Sequence, residues 1–308
     1  MPRPNSSRSA VQRIVLLAPY GLLGSELARR LSALGQVFTL SRADVDFADT
    51  TATAIRVAAL APTVIVNAAG FTAVDLAESA KAQAFLLNAA LPEALAQVAS
   101  RRQCWLLHFS TDYVYSGAGD QPWTEQDQPA PLSVYGASKL AGDQAVLAHC
   151  DKALILRTSW LYDSHGRNFF QTVLQRLLAQ QPLQVVDDQI GAPTPARLLA
   201  QQSVLILKQL LSGRSGSAGL YHLSCKGETS WFGFASAVLQ QAQQQGLVNT
   251  AILNPISTAN YRHLYPQAAA RPFNSRLAVE KVEQTFALQL PDWQSQLALV
   301  FAHYRQER

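Results

Sequence analysis

The sequence is poor in cysteine, lacks a long apolar run and has no excess of one charge sign. Its three cysteines, Cys104, Cys150 and Cys225, are odd in number, and no pair has C-x-x-C or metal-ligand spacing. This excludes a disulfide framework and a dithiol redox site, and a reducing, cytoplasmic compartment is expected. No uninterrupted apolar stretch reaches the roughly 18 residues of a membrane span, so no membrane partner is expected. The 25 basic and 21 acidic residues leave a net charge of +4. A pI near 9.0 would by itself suggest nucleic acid. The basic residues are scattered, however, and no stripe marks such a surface. An enzyme with an anionic ligand is the better expectation, and nucleic acid is not expected.

What is present is core. Of 308 residues, 48% are apolar and 15% charged. That supports two domains or one large α/β unit and rules out wholesale disorder. The first ten residues are polar, with Pro2, Arg3, Pro4 and Arg8. They lack the apolar centre of a secretory signal and read as a disordered lead-in.

Short apolar runs alternate with helical spacing along the first half. Strands are predicted at 13–18, 36–40, 63–67, 105–109 and 153–156. Helices are predicted at 23–34, 51–61, 79–101 and 133–149, with Pro92 kinking or breaking the third. This order predicts a doubly wound parallel sheet, Rossmann-like, whose ligands sit at the carboxyl ends of the strands. After Arg157 the pattern loosens. Helices at 168–180, 195–211 and 230–245 and strands at 183–186 and 219–223 remain, around a flexible loop at 212–219. The expected division is a nucleotide domain over 11–160, with later returning segments, and a smaller, mixed α/β substrate domain mainly over 161–300.

Residues 18–24, Ala-Pro-Tyr-Gly-Leu-Leu-Gly, have G-x-x-G-x-x-G spacing between a strand and a helix. Gly21 and Gly24 let the backbone approach a pyrophosphate at the helix N-terminus. Ala18 replaces the first glycine, and Pro19 removes an N–H. An acidic residue after the second strand would bind the ribose 2′-hydroxyl of NAD, but Ser41-Arg42 stands there. Arg42 suits a 2′-phosphate, which favours NADPH over NADH. Asp46 and Phe47 follow, placed to meet the edge and face of the adenine.

Tyr135 and Lys139 form Y-x-x-x-K and share a helix face. A lysine ammonium beside a phenol is expected to lower its pKa and make it a general acid for a carbonyl oxygen. The same lysine can hold the nicotinamide ribose. Thr111, twenty-four residues earlier in Ser110-Thr111-Asp112-Tyr113, ends the fourth strand, where its hydroxyl would orient the substrate oxygen.

With these residues the chain resembles the extended short-chain dehydrogenase/reductases, in the branch that reduces keto sugars carried on dTDP. The likeness runs nearly end to end. It rests on Val66 to Asp75 (VNAAGFTAVD), Ser110 to Tyr115 (STDYVY), Tyr135 to Lys139 (YGASK), Arg157 to Trp160 (RTSW), Val186 to Thr194 (VDDQIGAPT), Arg271 to Leu277 (RPFNSRL) and Leu290 to Trp293 (LPDW). The resemblance implies NADPH-dependent reduction of the C4 ketone of dTDP-6-deoxy-L-lyxo-4-hexulose. Tyr135 is then the acid, Lys139 its tuner and Thr111 the polarising partner. Leu23, Ala68 and Ala69 would join Gly21 and Gly24 along the cofactor. Thr72, Val74, Asp112, Tyr113 and Trp160 fall where the family lines the sugar pocket, although Trp160 reads equally as a core tryptophan. Asn168, Gln189 and Arg271 fall in segments that reach the nucleotide diphosphate.

Some bacterial members dimerise around a magnesium ion. Here Glu26 matches the first ligand, Arg197 replaces the second and His303 stands near the third. The expectation is a homodimer without that metal, in which an Arg197–Glu26 pair takes its place. Two other functional readings stand beside the reductase. One is a non-catalytic regulatory subunit of the same fold, favoured by Ala18. The other is an epimerase or reductase of a different sugar nucleotide.

Overall fold

A computed structural model of the chain describes residues 11–214 and 217–306. The lead-in at 1–10 and part of the 212–219 loop lie outside the described residues. Five strands of the first half are β1 (Gln12–Leu17), β2 (Gly35–Leu40), β3 (Val64–Asn67), β4 (Trp105–Thr111) and β5 (Ala153–Thr158). Shorter strands follow: β6 (Leu161–Tyr162), β7 (Leu183–Val186), β8 (Ile190–Gly191) and β9 (Thr194–Pro195). Then come β10 (Gly219–His222), β11 (Thr229–Ser230), β12 (Leu253–Ile256) and β13 (Asn274–Ser275). The main sheet has six strands, all parallel, in the order β10-β5-β4-β3-β1-β2. The strand order reverses at β1 and β3, which opens a crevice beyond their carboxyl ends. β3 and β5 are buried along their whole length, as strands covered on both faces must be.

The helices are α1 (Leu22–Leu31), α2 (Thr50–Ala59), α3 (Val74–Ser79), α4 (Lys81–Phe85), α5 (Leu91–Arg102), α6 (Val134–His149), α7 (Phe169–Leu178), α8 (Ala196–Leu211), α9 (Trp231–Gln244), α10 (Thr258–Leu264), α11 (Glu280–Phe286) and α12 (Trp293–Gln306). The single helix predicted over 79–101 is instead α4, a π-helical turn over Leu86–Ala90, and α5. The interruption falls immediately before Pro92, which stands in the first turn of α5, where a missing N–H costs little. α3, α10, α11 and α12 were not anticipated; the first three are only six or seven residues long, too short to show a period.

Two apolar layers flank the sheet. One combines α1 with α8, α11 and β10, through Leu27, Leu31, Leu199, Ile206, Val282 and Phe286. The other combines α2 and α5 through Val57, Leu91 and Leu95. A third cluster joins α7, α9 and α12 beside the β7–β12 pair, around Phe170, Phe234 and Phe301. Residues after 160 therefore serve two cores, returning to the sheet with α8, β10 and α11.

Candidate active site

The β1–α1 turn forms although its first glycine is missing. Ala18 takes the left-handed conformation at φ 58°, one that costs an alanine roughly 1 kcal/mol. Its N–H is held by the Leu40 carbonyl at 2.9 Å, and its own carbonyl accepts from Gly21 at 3.2 Å. That carbonyl also explains Gly24, where a Cβ would lie 1.9 Å from it. Gly21 is the N-cap of α1 and supplies no side-chain cap, so the first-turn N–H groups face the crevice uncovered by side chains. A pyrophosphate fits this cradle. The Leu23 side chain is turned into the core and away from this cradle.

At the end of β2, Asp44 accepts from both the N–H and the hydroxyl of Ser41, at 2.8 and 2.7 Å. This fixes the turn that presents exposed Arg42. Phe47 departs from expectation. Its ring is 3% exposed, in the core with Leu40 and Val57, and has no face to offer an adenine. The Asp46 carboxylate takes the Ala48 N–H at 3.0 Å. Ala68 and Ala69 follow β3, Ala69 being fixed by the Asn67 side chain at 3.1 Å.

β4 and α6 bring the chemistry together. Thr111 ends β4 and caps the 3-10 turn at Asp112–Val114, its hydroxyl oxygen accepting from Tyr113 N at 3.2 Å and donating to Asp112 Oδ1 at 3.0 Å. Ser133 caps α6, and Gly136 lets the helix touch that turn, since a Cβ there would lie 2.2 Å from the Tyr113 carbonyl. The close approach sets Tyr135 against Tyr113, edge to face with ring centroids 5.7 Å apart. Burial pushes the Tyr135 phenol above its usual pKa, and the Asp112 carboxylate pushes it further, while a hydrogen bond with Thr111 pulls it back. The lowering expected from Lys139 is therefore not seen. Lys139 is itself buried, donates to the Phe109 carbonyl at 2.5 Å, and is brought down to about 8 by burial against the pull of Asp143. Asp112 is also buried, and its carboxyl rises to about 7, opposed by hydrogen bonds from Ser275 and Thr111.

Tyr113 also bonds to Arg271, which grips Asp75 Oδ1 and Oδ2 at 2.9 Å each. This carries Arg271, nearly 200 residues away in sequence, to the start of α3, next to Val74 and just after the loop that holds Thr72. Three other predicted residues have structural duties. Trp160, at φ 48°, stacks on Trp231 with centroids 3.6 Å apart and packs against Gly191, so one face of the indole is taken. Asn168 caps α7 and spends its amide on the carbonyls of Asp163 and His165, which leaves it no amide for a diphosphate. Gln189 is buried and donates to Thr258 at 3.0 Å. Asp75, Asp143 and Ser275 were missed. Asp143 had a signal, since it stands four residues after Lys139.

The family described as RmlD substrate binding domain matches residues 12–306. The chain belongs to this RmlD family. It is 45% identical to a dTDP-4-dehydrorhamnose reductase of Shigella flexneri over 91% of this chain and 94% of the relative. The figures for the Escherichia coli K12 enzyme of the same name are 44%, 91% and 94%. A Bacillus anthracis dTDP-4-dehydrorhamnose reductase, solved in complex with NADP, superposes with a TM-score of 0.85 at 30% identity, covering 95% of this chain and 99% of that one.

Within this RmlD-family chain, Glu26 is paired with Arg29 and Arg30 at 2.8 and 2.5 Å, and Arg197 bonds to His303 at 2.5 Å. The Arg197–Glu26 pair expected between subunits is thus not made within one chain. Among the described residues, Glu26, Asp163 and His165 bring potential metal-ligand atoms within 4.8 Å of one another. The two arginines already balance the Glu26 carboxylate, and Asp163 accepts from Arg197 N at 3.0 Å. This donor set suits a cation poorly. No helix among the described residues is long and apolar enough to cross a membrane.

Proposed function

We propose that the protein is an NADPH-dependent dTDP-4-dehydrorhamnose reductase, reducing the C4 ketone of dTDP-6-deoxy-L-lyxo-4-hexulose to give dTDP-L-rhamnose in the cytoplasm. The observation that carries this reading is the meeting of Thr111, Asp112 and Tyr135 at the carboxyl end of β4, beside buried Lys139. The names of the relatives supply the substrate.

The β1–α1 cradle would hold the cofactor pyrophosphate, with Arg42 on a 2′-phosphate and Ala68 and Ala69 beneath. A reduced nicotinamide, when bound, supplies hydride. Thr111 polarises the ketone oxygen by turning its hydroxyl from Asp112 Oδ1 to that oxygen, and Tyr135 delivers the proton to it. A phenol pushed above its usual pKa is fully protonated at neutral pH, as an acid must be at the start. Lys139 stabilises the phenolate left behind. Thr72, Val74, Asp112 and Tyr113 line the sugar side, and Arg271 takes a phosphate by exchanging Asp75. Residues 11–160 act mainly on the cofactor and 161–300 mainly on the sugar nucleotide.

Tyr135→Phe removes the proton donor and keeps the ring. Turnover, followed as NADPH oxidation with the keto sugar nucleotide, should fall on the order of 10² or more, with NADPH binding retained. Near wild-type turnover would refute the assignment.

A further inference from the structure

We propose that Asp143 is a positioning residue that keeps Lys139 in its ammonium form, presenting a fixed carboxylate one helical turn beyond it. This rests on the reading of Tyr135 and Lys139 above. Tyr135, Lys139 and Asp143 recur every four residues on α6 and share one face. Lys139 and Asp143 are 6% and 1% exposed, so solvent screens neither strongly.

Three elements fix the carboxylate. Oδ2 accepts from Ser110 of β4 and from Arg157 Nε of β5, both at 2.9 Å. Arg157 is pinned from behind, since its Nη1 donates to the Tyr115 hydroxyl at 2.8 Å, and that hydroxyl meets His222 Nε2 of β10 at 2.7 Å. His222 is in turn tied through its N–H to Glu125 at 2.8 Å. Oδ1 is different. It is buried without a hydrogen-bond partner, and His108 Nε2 stands 3.9 Å from it.

His108 cannot supply the missing charge. Asn67 Oδ1 takes the Ala69 N–H, which turns its amide nitrogen toward His108 Nδ1 at 3.2 Å. His108 is held neutral, first by burial and then by the Lys139 charge. The titratable groups that act on Lys139 are Asp143 on α6 and neutral His108 on β4, while Arg157 on β5 acts through Asp143. Asp143 is the carboxylate whose charge draws on the ammonium, and Arg157 beside it holds it ionised against the burial that raises its pKa. Without Asp143, two cations would share a buried site.

A structural ion pair would affect stability alone, whereas this role shows in the pH profile. A nearby carboxylate raises an ammonium pKa. Asp143→Asn should therefore move the alkaline limb of kcat/KM to lower pH by about one unit, a tenfold loss on that limb. Asp143→Glu should restore the limb. Each variant is first checked for cooperative unfolding, and whichever folds decides. A limb unmoved in folded Asp143→Asn, or displaced in folded Asp143→Glu, overturns the proposal. Tyr135→Phe separates the two readings. If it abolishes turnover while the Asp143→Asn limb stays in place, only the role of Asp143 fails. If it leaves turnover intact, the acid assignment fails.

Discussion

Asp112 is a carboxyl that water does not reach, placed beside the phenol of Tyr135. Its folded pKa, about 7, lies above the ordinary 3.8 because burial penalises the charged form more than Ser275 and Thr111 relieve it. Folding therefore favours the protonated acid. The stability it contributes is complete below the unfolded value and is lost as pH climbs toward 7. Asp112→Asn cannot ionise. From about pH 5 to about pH 8 it should lose less stability than wild type, measured by urea denaturation at each pH. Parallel losses would show that Asp112 is ionised without penalty. Ala18 and Trp160 make a related point at the same scale. Both hold positive φ without being glycine, and both closely follow strands of the main sheet, Ala18 after β1 and Trp160 after β5.

Among the elements, α6 is set by two glycines. Gly136 admits the Tyr113 carbonyl. Gly142 admits the Asn88 carbonyl, which a Cβ would meet at 2.0 Å. Asn88 belongs to the π-helical turn, and its side chain bonds to both backbone groups of Phe71 and to Ser138. The widened turn thus ties the loop after β3 to the helix carrying Tyr135, in keeping with the frequent place of such turns at functional sites. Gly142→Ala gains roughly 0.5–1 kcal/mol of helix propensity but overpacks a backbone contact at a cost of about 1–3 kcal/mol. A net loss of about 1–2 kcal/mol in urea unfolding is expected. A gain would mean that the π turn yields freely.

For the whole molecule, the sheet closes only with late sequence. β10 pairs along β5, with His222 opposite Arg157, while α8 covers α1 and α11 packs on β10. A chain ended after Ser159 leaves the β5 edge open and Leu27 and Leu31 uncovered. It should show no cooperative unfolding transition by circular dichroism. A sharp transition would mean that the first half is a self-sufficient domain.

The sequence by itself determined the five leading strands, the helices α1, α2, α6, α7, α8 and α9, the strand-end glycine turn and the spacing of Thr111, Tyr135 and Lys139. Each is written in local spacing, whether a period of two or 3.6 residues or a pair four apart, which a chain satisfies without knowing its distant partners. Tertiary structure alone decided the rest. It buried the ring of Phe47, spent the amide of Asn168 on a helix cap, stacked Trp160 on Trp231 and carried Arg271 to Asp75. It also reversed the expected direction for Tyr135. A phenol's proton affinity depends on how much water it loses and which charges remain near it, and these are set only when α6 closes on the end of β4.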